Sequence, residues 1–499
     1  MSQPNVLFIM ADQMKATAST LYSEIGAETP SLARLSREGV RFQNAVTPHP
    51  LCVPARTSVM TSRYPHSTGC RRNETLMPAG EPHAFSIWKE AGFVTGLIGK
   101  NHCYDRQEDL CLFDVRCEIG HRGLSAGGET HGMEWVRPID AINAAHATRR
   151  DMPWQSPRVS YAVTDYPVED YSTALVTAQT ERFLEDHTDQ PFALWVSYPD
   201  PHEPYEVPRQ YADMFPPEKG KLPPYREQEF ADGSAPERNR VLHRILGMEN
   251  AEDDVRRMIG VYLAMVRFVD DGVGRILDVL ERLGLRDNTI VVFTSDHGDF
   301  MGEHHMAVKG GVFYDCLTRV PLIVSWPGRV PQGEVDDSMV NTVDILPTLL
   351  RPQGLDVPRR MQGAPLPTVT DAEPREAAFS EYGAGGPPFT MADLEMLPEP
   401  HGYQTLIDTL WAREAEGRRK MVRTRRWKYV HDPMGDLDEL YDLSADPWEL
   451  TNVAGDPGNG NVVSEMRKLL AGWMIQTEDP EPVQLPETTG RPPDNHGPG

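Results

Sequence analysis

Basic residues are in short supply: 49 Lys+Arg stand against 74 Asp+Glu, a formal charge of −25. So acidic a chain repels nucleic acid and anionic membranes, and neither is expected as a main partner. Long apolar runs are also missing, and none reaches the roughly 18 residues that span a bilayer. No basic stretch precedes the short apolar run of the first ten residues, so no secretory signal is expected. Cysteine is scarce. Six residues (Cys52, Cys70, Cys103, Cys111, Cys117, Cys316) in 499, without C-x-x-C spacing, make neither a disulfide framework nor a thiolate zinc site. Reduced thiols and a cytoplasmic location are the expectation. The 44 prolines have no period and the chain no internal repeat, which excludes a collagen-like polymer. A hydrophobic content of 39% excludes a disordered one, and the length suits one large domain with a smaller companion.

What is present is a recurring event. Four apolar, β-branched runs each end in chemically able residues. Asn5–Met10 leads into Asp12 and Gln13, and Phe93–Ile98 into Gly99-Lys100-Asn101-His102. Phe192–Ser197 leads into Pro201-His202-Glu203-Pro204, and Thr289–Thr294 into Ser295-Asp296-His297-Gly298-Asp299. Near-continuous apolar strands are what a sheet covered on both faces requires. In open parallel sheets ligands bind beyond the carboxyl ends of the strands, so these four clusters are expected to meet at one edge.

Helical patterns lie between the runs. Thr29-Pro30 reads as N-cap and first position of a helix over Ser31–Glu38 that Gly39 closes. Ser172–Asp186 and Asp253–Leu283 carry apolar faces near a 3.6-residue period. This alternation predicts an α/β layered domain. Segments 103–168 and 203–250 are polar and aperiodic, as insertions around a site mouth are. Val320–Trp326 is a further apolar run, and Met339–Arg351 reads as a short helix containing Pro347. A catalytic domain over 1–370 is expected. A smaller α+β subdomain over 371–479 follows, with strands in Ala377–Tyr382 and Lys420–His431 and a helix over Val462–Gln476. A proline-rich tail occupies 480–499.

The sharpest local pattern is Leu51-Cys52-Val53-Pro54-Ala55-Arg56. Pro54 marks the first turn of a helix, which sets Cys52 where free N–H groups and the helix dipole favour an anion. Arg56, four residues on, supplies a fixed charge suited to oxyanions.

Here the chain resembles the sulfatase family of the alkaline phosphatase superfamily. C-x-P-[SA]-R, continued by Thr61-Ser62-Arg63-Tyr64-Pro65-His66, is that family's signature. Gly99-Lys100-Asn101-His102, Pro201-His202-Glu203-Pro204-Tyr205 and Thr294-Ser295-Asp296-His297-Gly298 resemble its further motifs, in order. Lys309 and Glu439-Leu440-Tyr441-Asp442-Leu443 with Asp446-Pro447 do so as well. The resemblance implies a three-layer αβα sandwich with a mostly parallel central sheet. It also implies hydrolysis of a sulfate monoester of a small organic, aryl or sugar alcohol.

By that resemblance Cys52 is oxidised to formylglycine by a separate maturase, and its hydrate is the nucleophile. One hydroxyl attacks sulfur, and the second lets sulfate leave by C–O cleavage, a route that serine or a thiol lacks. Asp12 and Asp296, with Gln13, His297 and residue 52, would hold one divalent cation. Ca²⁺, usual in the family, is the cation expected here, with Mn²⁺ as the alternative, because Gln13 and His297 depart from the common ligands and resemble the choline-sulfatase and phosphonate-monoester-hydrolase branches. Lys100 and Lys309 would hold sulfate oxygens, Arg56 would steady the diol, and either His102 or His202 would be the general acid. His304 and His305 receive no role beyond loop structure. The nearest rival is a phosphonate monoester or phosphodiester hydrolase on the same site. More distant are a cysteine hydrolase with Cys52 as thiolate and a non-catalytic sulfate-binding protein. A second copy of the chain, around which the proline-rich tail could wrap, is a further candidate partner, as a homo-oligomer.

Overall fold

The computed structural model describes residues 3–152, 160–231, 233–248, 251–411 and 416–479. Its large sheet is built from β1 (Asn5–Ala11), β2 (Gly39–Val46), β3 (Val94–Gly99), β4 (Val115–Gly120), β5 (Phe192–Tyr198), β6 (Thr289–Ser295), β7 (Arg319–Ser325) and β8 (Glu334–Asn341). The spatial order is β8-β2-β7-β6-β1-β5-β3-β4, and two-residue strands at Gly123–Leu124 and Thr130–His131 extend it beside β4. β1 pairs in parallel with both β6 and β5, and β3 with both β5 and β4. β7 alone among these eight runs against its neighbours, β6 and β2.

The sheet is covered on both faces, and β1 shows it residue by residue. Leu7, Ile9 and Ala11 join one core with helices α1 (Pro30–Arg37), α3 (Ser172–Asp186) and α4 (Glu252–Arg282). Val6, Phe8 and Met10 join a second core on the opposite face, which α2 (Cys52–Thr61) enters through Val59 and Met60. Alternation of side chains about the strand thus explains why a continuous apolar run was needed. The result is an alkaline-phosphatase-like α/β sandwich. Among the described residues no helix is long and apolar enough to cross a membrane.

A small antiparallel sheet follows, β9 (Ala378–Tyr382), β10 (Arg419–Arg423), β11 (Trp427–His431) and β12 (Glu439–Asp442), in that order. Helix α5 (Gly460–Gln476) covers it, with Trp473 stacked on Phe379 at 4.8 Å between ring centroids. Asn341, at the end of β8, fastens the two sheets: its amide donates to Val46 O and Phe379 O and accepts from Phe379 N. The expected tail at 480–499 lies outside the described residues.

Three local expectations need correction. Lys420–His431 is two strands joined by a turn at 424–426. Met339–Arg351 begins as the end of β8, and its helix covers only Ile345–Leu350, so the mixed pattern spans a strand and a helix. Gly39 opens β2 and does not close α1; a Cβ there would lie 2.2 Å from Val324 O, so close strand contact requires the glycine. β2, β4 and β8 carry polar residues in alternation and escaped the search for apolar runs.

The start of α1 also differs in its chemistry. Thr29 stands at the N-cap, but its hydroxyl pairs with Ser19 at 2.6 Å. The free N–H groups of Ser31 and Leu32 donate instead to the buried carboxylate of Asp270 on α4, at 3.0 and 2.8 Å. A cap supplied from another helix locks α1 to α4. Asp270→Ala is expected to lower unfolding free energy by about 1–2 kcal/mol in chemical denaturation, with turnover per folded molecule unchanged.

Candidate active site

The carboxyl ends of β1, β6, β5 and β3 lie side by side, and their clusters meet there with the start of α2. Asp12 follows β1, its N–H donating to Tyr198 O and Asp200 O at 3.1 and 3.2 Å. Asp296 and His297 follow β6, Lys100 follows β3, and His202 follows β5. Gly99 turns the chain with φ 106°, and a Cβ on it would lie 1.9 Å from Ser197 O. Only glycine lets β3 end against β5 and aim Lys100 inward.

Cys52 is the first residue of α2, whose ten residues are all buried. Its Sγ lies 3.0 Å from His297 Nε2, 3.8 Å from Asp12 Oδ1 and 3.8 Å from Lys100 Nζ. Arg56, one turn on, points the same way. Its Nε donates to Asp296 Oδ2 at 2.8 Å, and its Nη1 to Ser197 Oγ and Lys100 O at 2.8 and 3.0 Å; Nη2 lies 3.7 Å from Asp12 Oδ1. Lys100 Nζ bonds Asp12 Oδ2. Lys309 Nζ donates to His202 Nε2 at 2.6 Å and to Gln13 Oε1 at 2.5 Å. His102 is buried, with its backbone in the left-handed region at φ 64°.

Burial alone raises the Asp12 carboxyl, but Lys100, Arg56 and Lys309 outweigh it and hold Asp12 well below the usual range. Burial pushes the Cys52 thiol up to about 11, so the thiolate that a cysteine hydrolase needs is disfavoured. Burial also drives His202 far below the ordinary imidazole value, with Lys309 and Lys100 adding to the effect. His202 is therefore neutral, with Nδ1–H on Glu203 O at 2.5 Å and Nε2 free to accept from Lys309.

One donor set fits a cation. Asp12, Cys52, Asp296 and His297 each offer an atom within 4.8 Å of the others, all buried. His297 Nδ1 sits 2.9 Å from Gly298 O, a contact only an N–H can make, so the lone pair of Nε2 faces the cluster. Hard carboxylates with one imidazole suit a divalent ion. Gln13 is placed differently from the other expected ligands. Its Oε1 takes the Lys309 ammonium, and its Nε2 lies 2.5 Å from both Glu203 Oε2 and Asp299 Oδ2. Its backbone, at φ 65°, brings its N–H to Asp296 Oδ1 at 3.0 Å.

Sequence reasoning assigned no part to Ser197, Glu203 or Asp299. Tyr205 donates to Asp299 Oδ2 at 2.5 Å, and burial raises the Asp299 carboxyl to about 6. The signal available was slight, since each adjoins a motif residue. His304 pairs with Glu229 at 2.5 Å and stacks on Tyr314 at 3.7 Å between ring centroids, contacts that hold its loop. The C-terminal motif is structural, Glu439 accepting from Asn239 and Tyr441 within the small sheet's contact with 237–246.

The family model described as Sulfatase matches residues 4–354. A choline-sulfatase of Rhizobium meliloti is 27% identical over 482 residues, covering 91% of this chain and 83% of its own. An N-acetylglucosamine-6-O-sulfatase of Bacteroides thetaiotaomicron is 25% identical over 539 residues, covering 96% and 88%. The phosphonate monoester hydrolase of Agrobacterium radiobacter shares the fold, with a TM-score of 0.77 at 24% identity over 95% of this chain and 96% of that one. A hydrolase site at strand ends in this fold, matched by that family across most of its length, leaves one conclusion. The chain belongs to the sulfatase family of the alkaline phosphatase superfamily, hydrolases of sulfuric esters.

Arg56 is the fixed counter-charge of Asp296 and stands with Lys100 beside Asp12, so its loss takes the guanidinium from Asp296 and one of two cations from Asp12. Arg56→Ala is expected to cost about 3–5 kcal/mol of stability in denaturant titration, and Arg56→Lys most of that, because lysine cannot span Asp296, Ser197 and Lys100 O together.

Proposed function

We propose that this enzyme hydrolyses a small, monoanionic sulfate ester, using formylglycine derived from Cys52 and one divalent cation. The observation that carries the reading is the meeting of Asp12, Asp296, His297 and Cys52 beneath the ammonium groups of Lys100 and Lys309. Once oxidised and hydrated, residue 52 would supply an oxygen nucleophile and a route for releasing sulfate. A cation held by Asp12, Asp296, His297 and residue 52 would lower the pKa of that oxygen. The His297 nitrogen favours Mn²⁺ over Ca²⁺. Cys52 is only 1% exposed, so oxidation by the maturase precedes closure of the fold.

The chain's own residues do the rest. Lys100 and Lys309 hold sulfuryl oxygens where charge accumulates as the S–O bond lengthens. The leaving oxygen takes the electron pair of that bond and a proton from the Lys309 ammonium. The neutral His202, whose Nε2 accepts from that ammonium at 2.6 Å, orients the donor and takes part in the proton transfer through it, which favours His202 over His102. Arg56 keeps Asp296 and Asp12 apart and oriented.

Charge also selects the substrate. Four buried carboxylates (Asp12, Glu203, Asp296, Asp299) face three buried cations (Arg56, Lys100, Lys309). Adding a dication leaves a charge that one negative substrate neutralises, and a dianionic phosphate monoester fits less well. Phosphonate monoesters and phosphodiesters share that single charge, which makes them the second reading; the Lys100/His102 pair favours sulfate. The organisation proposed is catalytic residues 1–370 with a supporting module over 371–479. A cytoplasmic location accords with six free thiols.

An aryl sulfate is expected to turn over faster than the matching aryl phosphonate monoester, and both far faster than the phosphate monoester. Faster phosphonate hydrolysis would make the second reading correct. Cys52→Ala and Asp296→Ala are expected to lose at least a thousandfold in kcat while melting cooperatively. Peptide mass spectrometry across residue 52 is expected to find the aldehyde in active enzyme; full activity with an intact thiol contradicts the nucleophile.

A further inference from the structure

A fifth strand end reaches the site. β4 runs parallel to β3, and directly after it His121 occupies the tip of a tight hairpin whose arms pair Gly120 with Gly123 and Ile119 with Leu124. The hairpin is anchored: Arg149, 2% exposed, donates to His121 O at 3.2 Å, to Asp200 Oδ1 at 2.7 Å and to Glu206 O at 3.0 Å. Asp200 in turn accepts the Asp12 N–H through its carbonyl. One buried guanidinium therefore ties the His121 turn to the segments that carry Asp12 and His202.

The His121 ring is fully buried and lies flat against His202, with centroids 4.2 Å apart and planes inclined by 12°. Ligand-type atoms of Asp12, His121 and His202 all lie within 4.8 Å of one another. Such a trio could hold a second cation or face an anion, and the neighbours decide. Lys100 Nζ already bonds Asp12, and Lys309 Nζ sits 2.6 Å from His202 Nε2. The trio has a single carboxylate, already paired with Lys100, where the cluster around residue 52 has two; two imidazoles beside two ammonium groups suit an oxyanion better than a second dication.

We propose that His121 is a further substrate-contacting residue, its imidazole lining the sulfate subsite beside His202 and donating to a sulfuryl or leaving-group oxygen. This rests on the sulfatase reading of the site. A hydrogen bond from a ring this buried to an oxygen of the ester is made at low local dielectric and is worth more than the same bond in water. A ring that merely packed against His202 would be replaceable by another aromatic.

The test compares His121→Ala, His121→Phe and His121→Gln in the metal-loaded, matured enzyme with an aryl sulfate. KM, kcat and inhibition by inorganic sulfate are measured, with cooperative melting and metal content as fold controls. His121→Phe keeps the stacked ring and removes the donor, so it separates packing from contact even where His121→Ala folds poorly. Both are expected to weaken inorganic sulfate inhibition by roughly ten- to a hundredfold, the loss of one hydrogen bond to a charged group, and His121→Gln is expected to recover part of it. Wild-type sulfate inhibition and KM in His121→Phe would overturn the proposal. So would a second equivalent of Mn²⁺ bound by the wild type and lost in His121→Ala. Activity retained in Cys52→Ala would instead refute the underlying reading, so the two failures are distinguishable.

Discussion

Asp12 and Asp296 are buried carboxylates whose oxygens lie within 4.8 Å of each other and of residue 52. Like charges so close and so dry cannot stand without fixed positive charge between them. Arg56 supplies it from α2, Lys100 from the end of β3 and Lys309 from the loop after Asp296. These groups are far apart in sequence, so only a sheet whose parallel strands end together can assemble them. The central architecture is the means by which that neutralisation is achieved, and Lys100 and Lys309 are the cationic donors that an anionic substrate would meet.

The backbone around the site bears strain. Gln13, His102 and Val308 adopt φ of 65°, 64° and 59°, a region side chains seldom occupy, and Val308 is β-branched. Such conformations cost about 1–3 kcal/mol each and persist where neighbours over-determine them. Here the neighbours are evident: Gln13 N–H is held by Asp296, and Val308 O accepts from Phe300 N beside Lys309. These three residues adjoin side chains of the site, while α3 and α4 contain no residue of this kind.

Much of this was legible in the sequence, for physical reasons. β1, β3, β5 and β6 have both faces buried and so read as apolar runs, and polar residues at their ends stood out against them. α3 and α4 were fixed by periodicity, to the residue at Ser172–Asp186. β2 and β8 lie toward one edge of the sheet and β4 toward the other, where alternation with polar residues hides a strand. For the same reason His121, at the end of β4, carried no signal. Glu203 and Asp299 act on Gln13 across 190 and 286 positions, and no local pattern reports such a pairing. Strand direction was equally silent: nothing in Arg319–Ser325 marks β7 as the reversed strand.

The most direct measurement is the anomalous scattering of crystals of the matured enzyme grown with Mn²⁺ and inorganic sulfate. The expected result is one metal peak bounded by Asp12, Asp296, His297 and residue 52, with sulfate over residue 52 between Lys100 and Lys309. An active crystal with no metal at that point, or with sulfate bound elsewhere, would contradict the convergence of strand ends on a single catalytic cation.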